Sequence, residues 1–151
     1  MEYRFKIEDS KPQLALSIRT TTTVGLIFQD LDSAIARITD YLKDLGIEPA
    51  GPPFAAYYNW DIQKIDIEIG FPLNNEVVDK GDIQLSEIPG GKRASTFYKG
   101  PYRKIAPAYK ALTEYIEKYG HRPGVNYEFY YNSNKEVPES ELLTKIVYLL
   151  K

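Results

Sequence analysis

Apolar positions along the chain change period in the same order twice. Leu14, Leu16 and Ile18 alternate with small or polar residues as far as the Thr20–Thr23 run, the pattern of a half-buried strand with β-branched residues at its end. From about Leu26 to Leu45 the period lengthens, and Leu31, Ala34, Ile35, Ile38, Tyr41, Leu42 and Leu45 fall on one helical face. Gly46 caps this helix and Pro49 stops it from continuing. Phe54–Trp60 is strand-like and aromatic. Lys64–Phe71 alternates strictly, with Ile65, Ile67, Ile69 and Phe71 on one side and Asp66, Glu68 and Gly70 on the other, so the two segments predict a hairpin. A short alternation at Tyr3–Ile7, ended by Pro12, predicts one further strand at the start.

After a polar connector, Asn74–Gly81, the order returns. Ile83–Ile88 and Arg93–Lys99 predict strands joined by a hairpin turn at Pro89-Gly90-Gly91-Lys92. A helix running to about Tyr119 turns Ile105, Ala108, Tyr109, Leu112, Tyr115, Ile116 and Tyr119 inward, with Pro107 in its first turn, where a missing N–H does no harm. Tyr127–Tyr131 is a strand, Asn132–Ser140 a loop, and Leu142–Leu150 the closing strand.

The two halves also match residue by residue. Residues 34–49 laid over residues 108–123, 74 positions on, align Ala34, Thr39, Tyr41, Gly46 and Pro49 with Ala108, Thr113, Tyr115, Gly120 and Pro123. A repeat of this length is one supersecondary unit that cannot bury its apolar face alone. The expected fold is a single α+β domain over residues 1–151, built from duplicated β-α-β-β units (about 12–73 and 82–151). It has an antiparallel sheet, two helices, pseudo-twofold symmetry and a cleft between the halves.

Composition narrows the chemistry. The 151 residues contain no cysteine, which excludes disulfides, thiol catalysis and cysteine-ligated metal. The one histidine, His121, falls in a predicted loop, so neither a Ser-His-Asp set nor a histidine metal site is expected, and no metal or cofactor is called for. A net charge of −2 with scattered Lys and Arg argues against direct nucleic-acid binding. There is no secretory segment and no apolar run of spanning length, so the expectation is a cytoplasmic protein with no membrane partner. Thirteen tyrosines stand out, because a flat apolar ring with a polar tip suits both ligand walls and half-buried sheet positions.

Glu128 is the leading candidate for chemistry. Alternation puts it with Tyr130 on one strand face and Tyr127, Phe129 and Tyr131 on the other. At the 74-residue offset its counterpart is Phe54, so a carboxylate breaks the symmetry there. A carboxylate among aromatics is costly unless a cation or hydrogen-bond donors satisfy it. Trp60, the one tryptophan, shares a face with Tyr58 by alternation and could form a stacking wall or a plug at the sheet end. Tyr98-Lys99-Gly100-Pro101-Tyr102 links a strand to the second helix and is no phosphate loop, since it lacks a GxGxxG or GxxxxGK pattern.

With these residues together, the chain resembles the GyrI-like small-molecule-binding family. This is the effector-binding domain of AraC- and MerR-type multidrug regulators, also found free-standing. The resemblance rests on Pro12-Gln13 leading to Ile18-Arg19, on Tyr98–Tyr102 with the Ala108–Gly120 helix, on Glu128-Phe129-Tyr130, and on Pro138 followed by Glu141-Leu142-Leu143-Thr144. It implies a duplicated fold and an aromatic cleft whose central glutamate, here Glu128, meets lipophilic cations. Tyr58, Trp60, Tyr98 and Tyr130 would form the stacking wall, with Tyr102, Tyr109, Tyr148 and Phe54 as further contacts. Many members carry a carboxylate in the last strand where this chain has Lys145, which puts cation preference in question if Lys145 faces the cleft. The regulators' DNA-binding part has no counterpart in this sequence. Two rival functions come with the resemblance. One is a hydrolase of lipophilic compounds with Glu128 as general acid or base. The other is a gyrase-inhibitor-like module that binds a protein partner or a second copy.

Overall fold

A computed structural model describes residues 2–151. Its strands are β1 (Phe5–Ser10), β2 (Gln13–Thr22), β3 (Phe54–Tyr57), β4 (Ile65–Pro72), β5 (Gln84–Ile88), β6 (Gly91–Lys99), β7 (Pro123–Tyr130) and β8 (Leu143–Leu150); its helices are α1 (Ile27–Asp44) and α2 (Ala106–Lys118). The chain divides into two compact units, Lys11–Gly90 and residues 2–10 with Gly91–Lys151, called here the N-terminal and C-terminal units. Each contains one β-α-β-β repeat, so the fold is α+β and duplicated.

In the N-terminal unit β4 lies between β2 and β3, and β5 pairs with the other edge of β2, all antiparallel. In the C-terminal unit β8 lies between β6 and β7, and β1 pairs with the other edge of β6, again antiparallel. These pairings correct the expected hairpin at Pro89–Lys92. β5 and β6 are consecutive in sequence but belong to different units, because β5 takes its hydrogen bonds from β2 and β6 takes them from β1 and β8. Each strand that precedes a repeat completes the sheet of the other repeat.

The two helices are held alike. In α1, Leu31, Ala34, Ile38 and Leu42 are buried; in α2, Ala108, Leu112 and Ile116 are, packed on Ala94, Tyr98, Ile146 and Tyr148. Both helices end in the same cap. Gly46 N–H donates to Lys43 O and Ile47 N–H to Leu42 O, while Gly120 N–H donates to Glu117 O and His121 N–H to Ile116 O. This double bond pattern needs a left-handed residue, and Gly46 and Gly120 supply it with φ of 69° and 80°. Thr39 and Thr113 each bond the carbonyl one turn back, Ile35 O and Tyr109 O. The 74-residue repeat is therefore repeated in hydrogen bonds as well as in letters. The Thr20–Thr23 run does more than fill a strand, since Thr22 Oγ1 donates to Asp30 Oδ2 in the first turn of α1 at 2.5 Å.

Gly70 is fixed by close approach: a Cβ there would lie 2.4 Å from Leu16 O and 2.7 Å from Ser17 Cβ. Gly70→Ala is therefore expected to cost about 2 kcal/mol of unfolding free energy by forced overpacking. Gly46→Ala, where only the left-handed backbone opposes a side chain, should cost about 1 kcal/mol. Urea denaturation of the two variants checks both values, and equal losses would contradict the distinction.

Candidate functional site

The site grows from the alternation of β7. Glu128 is opposite Ile146, and Asn126 and Tyr130 are opposite Tyr148 and Thr144. Ile146 and Tyr148 belong to the core under α2, so Asn126, Glu128 and Tyr130 face that helix. α2 contributes Tyr109, next to the buried Ala108. The Tyr109 hydroxyl donates to Glu128 Oε2 and lies 3.0 Å from Asn126 Oδ1. The Tyr130 hydroxyl donates to Glu128 Oε1 at 2.8 Å. Asn126 is turned by its own amide, which donates to Tyr127 O and Val147 O at 3.3 Å. Glu128 is 9% exposed. Phenol hydroxyls satisfy a carboxylate by hydrogen bonding, but they carry no charge to cancel it.

Each of the two phenol rings that donate to the carboxylate meets a further tyrosine ring edge-on. Tyr109 meets Tyr148 at 6.0 Å and 85°, and Tyr130 meets Tyr102 at 5.9 Å and 84°. Tyr102 is placed by the Gly100-Pro101 turn. A Cβ on Gly100 would sit 2.8 Å from the Tyr98 hydroxyl, which donates to Pro101 O at 2.7 Å and locks the turn. Tyr98 is thus a core and turn-locking residue, 3% exposed. Of the residues chosen from sequence, the structure brings Glu128, Tyr130, Tyr109, Tyr102 and Tyr148 together. Asn126 is a member that sequence reasoning missed. Its signal was available, since it shares the alternate face with Glu128 and Tyr130.

Lys145 is on the other face. It is opposite Phe129 and Phe97, one step out of phase with Glu128. It therefore does not enter the Glu128 site, and the question it raised about cation preference falls away. Tyr127, Phe129 and Tyr131 share its side by the same alternation.

Phe54, Tyr58 and Trp60 lie in the N-terminal unit. Trp60 follows the end of β3 and stacks on Tyr57 at 5.3 Å and 13°. The Tyr58 hydroxyl donates to Glu68 Oε1 at 2.5 Å, and Arg19 lies 3.7 Å over its ring. Glu68 also accepts from Ser17 Oγ at 2.5 Å, and Ser17 is 2.7 Å from Ser86. Phe54 is opposite Gly70, on the sheet side of Ser17 and away from α1. The 74-residue offset therefore does not preserve facing in the strands, since Glu128 looks toward α2. In the helices it does hold, and there Ile35 of α1 corresponds to Tyr109 of α2. Among the described residues no group of His, Cys, Asp or Glu could hold a metal ion, and no helix is long and apolar enough to cross a membrane.

A family model for the GyrI-like small molecule binding domain matches residues 3–151. The chain belongs to the GyrI-like family. The C-terminal domain of EcmrR has the same fold, with a TM-score of 0.85 at 19% identity, covering 100% of this chain and 99% of that one. In an EcmrR–DNA complex the likeness has a TM-score of 0.84 at 19% identity, over 99% of this chain and 57% of the EcmrR chain. This GyrI-like domain thus spans little more than half the length of that regulator. A hydrolase from Listeria innocua matches with a TM-score of 0.70 at 12% identity, over 98% of this chain and 92% of that one. SAV2435 bound to tetraphenylphosphonium matches at 0.60 and 15% identity, over 100% and 94%. No protein of curated function matches the sequence.

Burial raises the Tyr148 and Tyr98 hydroxyls above the ordinary tyrosine value near 10, and the Glu128 charge adds to the effect at Tyr148. A raised pKa means that the folded state holds the proton more tightly than the unfolded chain. The associated stability is complete below pH 10 and is lost as pH rises through the folded values. Unfolding free energy should fall above about pH 10, and Tyr148→Phe should flatten that fall. Denaturation at graded alkaline pH tests it; an unchanged slope in the variant would contradict the assignment.

Proposed function

We propose that this GyrI-like domain binds hydrophobic, cationic aromatic small molecules, with Glu128 as the charge partner. The observation that carries the proposal is the buried carboxylate beneath α2, which accepts from the Tyr109 and Tyr130 phenols, whose rings in turn meet Tyr148 and Tyr102 edge-on. Neutral phenols satisfy the carboxylate oxygens, and burial strengthens the attraction between its negative charge and a cation placed beside it. A delocalised organic cation compensates that charge at a small desolvation cost of its own, while its rings pack on Tyr102, Tyr109 and Tyr130. Flat walls demand little hydrogen-bond geometry, so selectivity by charge should be strong and selectivity by shape broad. The ligand held by SAV2435, tetraphenylphosphonium, is a cation of this class and supports the reading.

Binding is the favoured reading because one phenol on each Glu128 oxygen holds the carboxylate in a fixed orientation beside the aromatic rings. Glu128→Gln keeps the shape and removes the charge. It is expected to weaken tetraphenylphosphonium by about 30-fold, on the scale of about 2 kcal/mol for loss of one partner of a buried charge pair, and to leave a neutral tetraphenyl analogue within about threefold. Isothermal titration of both ligands measures this. Equal loss for the two, or hydrolysis of an ester probe that Glu128→Gln abolishes, would overturn it.

A further inference from the structure

The sheet face of the C-terminal unit turned away from α2 has a charge imbalance that the Glu128 site does not use. Register places Arg93 and Phe97 of β6, Lys145 of β8 and Phe129 of β7 on it, with Lys6 and Glu8 of β1 alongside. Glu8 is the carboxylate in this group. It pairs with Lys6 at 3.0 Å and acts at longer range on Arg93 and Lys145. Three cations against one carboxylate leave the group a net charge of +2.

Arg93 and Lys145 are half-buried, and burial lowers the pKa of each. Arg93 Nε is buried with no hydrogen-bond acceptor. Lys145 Nζ lies 5.6 Å over the Phe97 ring, and Phe97 meets Tyr131 at 5.5 Å and 59°. Both rings are large and open, 48% and 45% exposed. Partly desolvated cations are costly without an anion, and two surface rings beside them offer an apolar shelf.

From this juxtaposition we infer a second ligand site for organic anions: a planar aromatic carboxylate packs its ring on Phe97 and Tyr131, pairs its carboxylate with Lys145, and gains from the positive field of Arg93. The site would accept the opposite charge from the one Glu128 selects, on the opposite side of the same strands. Lys145 is its charge-bearing residue, 5.6 Å over the Phe97 ring.

Titration of the whole chain with 2-naphthoate and with the neutral 2-naphthamide, followed by amide chemical shifts, tests it. The expected result is naphthoate binding with shifts centred on Phe97, Lys145 and Tyr131, naphthamide at least tenfold weaker, and about tenfold loss for naphthoate in Lys145→Gln. Naphthamide binding as well as naphthoate, shifts centred on Asn126–Tyr130 and Tyr109, or no binding would each overturn the proposal. The naphthoate–naphthamide comparison on the unaltered protein stands whether or not the variant folds.

Discussion

A buried carboxylate under a helix is the constraint around which the C-terminal unit is organised. Tyr109 and Tyr130 donate to Glu128 and stabilise it in that position. Tyr130 comes with the strand, two residues on. Tyr109 comes from α2, so the helix must be fixed in rotation and in height above the sheet. Ala108, Leu112 and Ile116 fix the rotation by filling the core. The Gly100-Pro101 turn, locked by the Tyr98 hydroxyl, sets where the helix begins, and the Gly120 cap sets where it ends. Much of this packing thus serves to hold one phenol against one carboxylate.

Duplication supplies the scaffold and its breakage supplies the chemistry. The caps, the threonine back-bonds and the helix cores are the same in both repeats. What differs is Ile35 against Tyr109, a half-buried aliphatic replaced by a phenol. The N-terminal unit uses related groups on the other face of its sheet. There Glu68 accepts from Tyr58, while the chain's own Arg19 lies over the Tyr58 ring and forks onto Asp66 at 2.7 and 2.8 Å. Carboxylate, phenol and cation are all present there within the chain. The C-terminal unit sets carboxylate and phenols together beneath α2, in the arrangement read here as a receptor for an external cation.

Period and repeat made the elements legible. Both helices, the caps at Gly46 and Gly120, and the shared facing of Glu128 and Tyr130 follow from spacing alone, because core contact enforces it. The pairing of β5 with β2 did not, because strand partners are a long-range choice that a Pro-Gly-Gly turn does not reveal. The extent of β3 was not legible either: the aromatic run suggested a strand to Trp60, and β3 ends at Tyr57. The hydroxyl bond of Tyr98 to Pro101 O was not legible, because a turn-locking side-chain contact leaves no periodic signal. Asn126 was legible by parity, but an asparagine in a strand raises no alarm until a neighbour needs its oxygen.

The most direct measurement of the central claim is a crystal structure of the protein with tetraphenylphosphonium. The phosphonium centre is expected within about 4–6 Å of the Glu128 carboxylate, with phenyl rings against Tyr102, Tyr109 and Tyr130. A cation seated elsewhere, with Glu128 still held by its two phenols and no ring beside it, would contradict the account.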